Sequence, residues 1–235
     1  MNQKPKLLTV LDWITGILFS GAVIAIFLYA PMEAVMGWVQ KVFYFHVASG
    51  WTGMLGFLLA ATAGIFYLLK KDPVWDRVGY AAVEIGMVFM SICIISGSIW
   101  ARPIWNTWWT WEPRLTTAAI MVLIYAAYLL LRQGLEEPER RARFGAVYAV
   151  VGFISVPMTF LSIRRFRTIH PVVIGGNQPC VSGAFDMTSK MVQVLILWLL
   201  AFSFIFADIL WHRIRLGELA DEVEQKKIFL QSPER

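Results

Sequence analysis

The stretch WARPIWNTWWTWEPRLT, residues 100–116, lies between two strongly apolar segments and decides how the chain is read. It holds five of the eleven tryptophans: Trp100, Trp105, Trp108, Trp109 and Trp111. Pro103 and Pro113 bracket the run. A proline lacks the N–H of the helical ladder and pushes the residue before it, here Glu112, out of helical geometry. A continuous membrane span is therefore not expected through it, and 101–114 reads as a loop dividing two spans. Inside the loop Trp105, Trp108, Trp109 and Glu112 recur at i, i+3, i+4 and i+7, the spacing of one face of a short helix. Such a face would lay three indoles and a carboxylate against a membrane surface or a planar ligand.

Outward from this stretch the chain is apolar almost throughout. It is 58% hydrophobic and 16% charged, with mean hydropathy +0.60, against roughly 45–50% apolar residues in ordinary soluble domains. Apolar runs occur at about 11–30, 43–69, 78–100, 115–131, 144–163 and 191–211, each near the roughly 20 residues a helix needs to cross a bilayer. The expected fold is an all-α integral membrane protein of six transmembrane helices, one membrane domain over 1–235. The net charge of +5 is spread along loop ends rather than gathered in one stripe, which argues for a lipid bilayer and against nucleic acid as partner. Lys4 and Lys6 precede an apolar run that continues to Ala30, too long for a signal-peptide core, so it reads as an uncleaved first span. Cys93 falls inside a span and Cys180 in a loop; they form neither a metal framework nor a CxxC, and no CxxCH for covalent haem is present.

Lysine and arginine accumulate on the cytoplasmic side of membrane proteins. The tails and even-numbered loops hold 14 of them and the odd-numbered loops 7, which predicts both termini, and the tail 212–235, inside. Three loops then share the outer face: 31–42, 101–114 and 164–190. The first carries Met32, Val35, Met36 and Val39 at helical spacing, a short outer interfacial helix. It leads into FYFHVASGW and His46. The third begins SIRRFRTIHPVV, with Arg164, Arg165, Arg167 and His170.

The remaining marks on the spans have structural readings. Gly56, Ala60 and Gly64 form a small-xxx-small face for close helix packing. Glu84, an ionisable group within a span, pairs locally with Arg77 or reaches the inner surface. Pro157 kinks the fifth span near its outer end.

Two imidazoles from different loops beside an aromatic platform suit six-coordinate haem iron. Indoles offer flat apolar surface, and guanidinium groups bind carboxylates such as the haem propionates in a bidentate fork. Arg102, Arg114, Arg164, Arg165 and Arg167 are candidates for that contact. Each feature also has a plainer reading: a packed or hydrogen-bonded histidine, an interfacial aromatic belt, arginines on lipid phosphates.

WNTWWTWEPRLT resembles the tryptophan-rich signature of the haem-handling membrane proteins of cytochrome c maturation, usually close to WGxWWxWDxRLT. The resemblance is closest to the cytochrome c maturation protein C family, CcmC, also called haem exporter protein C. YFHVAS and VPMTFLSIRRFRTIHP resemble the segments that hold the family's two outer histidines, so the similarity covers about residues 10–212. It implies a protein of the bacterial cytoplasmic membrane that presents haem b, transiently and without covalent attachment, on the periplasmic or exterior face. The haem passes to a membrane-anchored chaperone, CcmE-like, with a small membrane subunit and ABC transporter subunits as further partners. His46 and His170 become the axial ligands, and Trp105, Trp108, Trp109, Trp111 and Arg114, with Trp100 beside them, the platform.

Asn106 stands where the family usually has glycine, Glu112 where it has aspartate, and Arg165 and Phe166 where it has a tryptophan pair. The last departure implies a grip by charge more than by stacking. The related synthase branch, of the CcsA type, continues its motif as WDPKE, whereas EPRLT here favours the CcmC-like assignment. A haem lyase or transferase-like role in loading the chaperone is open, its warrant being proximity of the two reactants. The rival function is a permease subunit of an ATP-driven haem or solute exporter; with no GxxxxGK[ST] in the chain, its ATPase would be a separate protein. A third reading is a structural subunit anchored by its tryptophans.

Overall fold

A computed structural model describes residues 4–34, 36–166, 169–170 and 187–231, apart from the side chains of Ile163 and Arg164. Arg167, Cys180, Val35 and the rest of the loop before 187 lie outside the described residues. The elements are α1 (Lys6–Leu28), α2 (Gln40–Lys70), α3 (Pro73–Trp105), α4 (Pro113–Gln133), α5 (Pro138–Gly152), α6 (Ser155–Arg165) and α7 (Ser189–Gln231). Pro73, Pro113 and Pro138 each open a helix, where a missing N–H costs nothing and the fixed φ already matches the helix. Six helical segments among the described residues are long and apolar enough to cross a membrane, α5 and α6 together making one of them. Side chains such as Ile17, Phe27, Leu123, Leu130 and Leu200 stay exposed around the bundle. Water would penalise that surface and lipid does not. The protein is an integral membrane protein of the class the apolar runs predict.

The centre of the bundle is the antiparallel pair α2–α3, brought close by missing side chains. A Cβ built on Gly56 would lie 2.7 Å from the Ala82 carbonyl oxygen and 2.9 Å from Gly86 Cα. One on Gly64 would lie 2.8 Å from the Ala146 carbonyl oxygen, so the expected small-residue face serves two neighbours, α3 and α5. Phe57 stacks on Tyr125 of α4 at 3.6 Å between ring centroids. α1 leans on α7, where the buried Trp198 Nε1–H donates to the Ala22 carbonyl at 3.0 Å.

Charge gathers at one end of the bundle. Arg132 of α4 grips Asp76 of α3 through two hydrogen bonds of 2.5 and 2.8 Å. Lys4 and His212 both meet Asp12. Glu84 pairs with Arg213 of α7 at 2.7 Å, and Arg77 with Asp221 at 3.0 Å. Of the two sequence readings of Glu84, local pairing with Arg77 or reach to the inner surface, the local pair does not form among the described residues, because α7 runs on without a break to Gln231 and brings its own charges alongside α3.

Several expected details change. Residues 31–39 are a chain of turns, with no helix among the described residues, where a short interfacial helix is expected. Gly37 turns back with φ +55°, and the Glu33 carboxylate accepts from the Met36 N–H at 2.5 Å. α3 continues through Pro103 to Trp105, and 106–112 are irregular, so the loop is shorter than 101–114 and the helical face of Trp105, Trp108, Trp109 and Glu112 does not form. Asn106 ends α3 in the left-handed conformation, φ +54°, which breaks that periodicity at its first step. The fifth span is interrupted between Gly152 and Ser155. This is one turn before Pro157, where the proline ring crowds the carbonyl four residues back.

Candidate functional site

At the end of the bundle away from the ion pairs, α2, α3, α4, α6, α7 and the tryptophan loop enclose a cavity of about 360 Å3. Pockets for cofactor-sized molecules span roughly 300–1,000 Å3 and are mainly apolar with a few convergent polar groups. This wall fits that description.

His46 stands in the first two turns of α2, and His170 comes from the third loop; both line the cavity. Their ring centroids are 6.2 Å apart with planes inclined by 40°. A metal held by two imidazole nitrogens at about 2 Å each, with about 1 Å more from each nitrogen to its ring centre, separates the centres by about 6 Å. The His46 Nδ1–H donates to the Cys93 carbonyl at 2.9 Å, since a carbonyl can only accept. The Ile169 N–H, next to His170, donates to the Glu112 carboxylate at 3.0 Å. Glu112 thereby ties the third loop to the tryptophan loop.

Trp100, Trp105, Trp108 and Trp109 form the aromatic wall. Trp105 meets Trp100 edge to face at 5.0 Å and His170 at 6.1 Å. Trp100 and Trp109 bury indole N–H groups with no hydrogen-bond partner among the described residues. Buried donors in that state are costly, and a ligand acceptor in the cavity would relieve them. Trp111 does not line the cavity: it rests against Trp109 and is 77% exposed.

The arginines divide. Arg114, in the first turn of α4, lines the cavity and forms no ion pair among the described residues. Arg102 points elsewhere, donating to the Asn106 carbonyl at 2.7 Å and to Asn106 Oδ1 at 2.6 Å, which closes the C-terminus of α3. Arg165 and Phe166 are exposed and off the cavity wall. The Arg164 side chain and all of Arg167 lie outside the described residues.

Sequence reasoning does not single out Gly97, Cys93, Thr159, Phe160 or Leu195, all on the wall. Gly97 leaves a faint trace, standing among small residues in ISGS just before the tryptophans. The others look like ordinary span residues until the helices are packed.

A polytopic helical membrane protein with a two-histidine, tryptophan-walled cavity at one end is the class this geometry defines. Residues 1–229 match the family model described as heme exporter protein C, and the chain belongs to that family. It is 27% identical over 202 residues to the heme exporter protein C of Bradyrhizobium diazoefficiens, covering 85% of this chain and 72% of that one. It is 28% identical over 208 residues to that of Rhodobacter capsulatus, covering 88% and 82%. A putative cytochrome c biosynthesis ccmC-like mitochondrial protein of Marchantia polymorpha is 26% identical over 177 residues, covering 75% and 72%.

Proposed function

We propose that this protein holds haem, as cargo, at the outer face of a bacterial inner membrane and delivers it to a membrane-anchored, CcmE-like chaperone during cytochrome c maturation. The observation that carries the proposal is the pair of imidazoles 6.2 Å apart in the wall of a tryptophan-lined cavity. Haem iron takes two axial nitrogens, and His46 and His170 supply them, one from a rigid helix and one from a loop. A rigid ligand fixes position, and a loop ligand can withdraw when the cargo leaves. Trp100, Trp105, Trp108 and Trp109 cover the apolar macrocycle, and their indole N–H groups together with Arg114 meet the propionates. Trp108 and Trp111, 58% and 77% exposed, leave a large apolar surface at the rim for the chaperone to dock against.

The excess of lysine and arginine at the opposite end and in the tails supports both termini inside and the cavity outside. The chain's part in loading the chaperone is to hold haem with one edge accessible, so that reaction with the chaperone occurs between positioned partners. A small membrane subunit and ABC transporter subunits complete the assembly.

The test is the absorption spectrum of the detergent-purified protein expressed with excess haem, compared with His46→Ala and His170→Ala. Six-coordinate, low-spin haem that is lost or altered in both variants is the expected result. Stoichiometric haem indifferent to both substitutions refutes the ligand assignment, and absence of haem from the wild type moves the permease reading ahead.

A further inference from the structure

We infer that Gly97 is the positioning residue that fixes the tautomer of His46, leaving its Nε2 free to ligate. The tautomer itself follows from protein geometry alone; the ligating role deepens the proposed haem function and rests on it.

The His46 ring approaches α3 edge-on at Gly97, a position of the helix with no side chain. A Cβ built on Gly97 would lie 2.7 Å from His46 Cε1 and 3.1 Å from Nδ1, but 3.6 Å from Nε2. The Nδ1–Cε1 edge is therefore the one pressed to the helix. That approach brings Nδ1 to 2.9 Å from the Cys93 carbonyl. Inside α3 the same carbonyl is the helical acceptor for the Gly97 N–H, and its remaining lone pair is reachable only because residue 97 lacks a side chain.

Other polar groups near Nδ1 do not reverse the assignment. Ser96 Oγ, 3.5 Å away, spends its proton on the Ile92 and Cys93 carbonyls at 2.7 and 3.1 Å. Cys93 Sγ lies farther, at 3.6 Å, and is a weak partner. Nδ1 carries the proton, which leaves the lone pair on Nε2, the nitrogen farther from Gly97; the His170 ring centre lies 6.2 Å from that of His46. A histidine that ligates a metal through one nitrogen and donates the other N–H to a carbonyl is held in orientation and made more basic.

An alanine methyl at 97 needs roughly 3.5 Å of clearance from carbon. Set against the 2.7 Å available, the ring must retreat by close to an ångström, which stretches its bond to Cys93 past the useful range of about 3.2 Å.

The experiment uses the full-length protein, labelled with 15N-histidine and purified without haem. Only three histidines exist, so His46→Gln assigns the signals. Long-range 1H–15N spectra at neutral pH should show His46 protonated at Nδ1 in the wild type and in Ser96→Ala, and a mixed tautomer in Gly97→Ala. Haem titrations of the same samples should show about 10- to 100-fold weaker binding for Gly97→Ala. An Nε2-protonated His46 in the wild type overturns the inference, and this holds even if Gly97→Ala fails to fold. Unchanged tautomer and affinity in a folded Gly97→Ala overturns it too. An Nδ1 tautomer lost in Gly97→Ala, with haem affinity unaffected by His46→Gln, overturns the haem reading and the ligating role while upholding the positioning.

Discussion

Replacing Arg132 with methionine removes the cation from the most enclosed ion pair in the described residues. Arg132 is 7% exposed and Asp76 19%, and the guanidinium fork spans both carboxylate oxygens at 2.5 and 2.8 Å. The Tyr80 and Tyr128 rings lie over the guanidinium at 4.8 and 5.8 Å. Gly145 leaves it room, since a Cβ there would sit 2.6 Å from Nη1. Arg132→Met would strand Asp76 as an uncompensated carboxylate among apolar neighbours, at a cost of about 3–5 kcal/mol. At about 2–4 °C per kcal/mol for a chain of this size, the unfolding midpoint in detergent should fall by roughly 6–20 °C. Asp76→Leu should cost a similar amount by stranding the arginine. The double variant Arg132→Met/Asp76→Leu should recover most of the loss, because no charge is left buried. Thermal unfolding of the four proteins, followed by size-exclusion fluorescence, gives the coupling energy directly. Additive single and double losses, or a shift below 2 °C for Arg132→Met, would refute the view that α3 and α4 are joined through this pair.

Gly56→Val should destabilise by about 1–3 kcal/mol, because the new side chain meets the α3 backbone, which cannot rotate away; the unfolding midpoint reads it. Asn106→Gly should be nearly neutral, whereas Asn106→Val should cost about 1–2 kcal/mol, since the position is left-handed; unfolding and haem titration together separate stability from binding. Glu112→Gln keeps an acceptor for the Ile169 N–H and should leave the haem spectrum unchanged, while Glu112→Ala releases the segment holding His170 and should give a mixed five- and six-coordinate spectrum.

The replacements in the tryptophan loop show how a family pattern becomes physics once the backbone is known. Asn106 stands where glycine is usual because the end of α3 requires positive φ, which asparagine tolerates better than any other residue with a side chain. Glu112 stands where aspartate is usual and uses its carboxylate to reach a backbone N–H of another loop.

By itself the sequence determined the class of protein: six apolar runs and a proline-bracketed tryptophan run too interrupted to span a membrane. These features are local in the chain, and hydropathy together with the missing proline N–H acts within a few residues. It also named both histidines and four tryptophans of the cavity wall, through composition and motif. Only the tertiary structure decided which arginine faces the cavity: Arg114 lines it, while Arg102 closes its own helix. It alone paired Glu84 with Arg213 and seated the His46 ring against Gly97. Such choices depend on which helix faces which, at separations of an ångström or less, and no periodicity along one helix encodes the position of its neighbour.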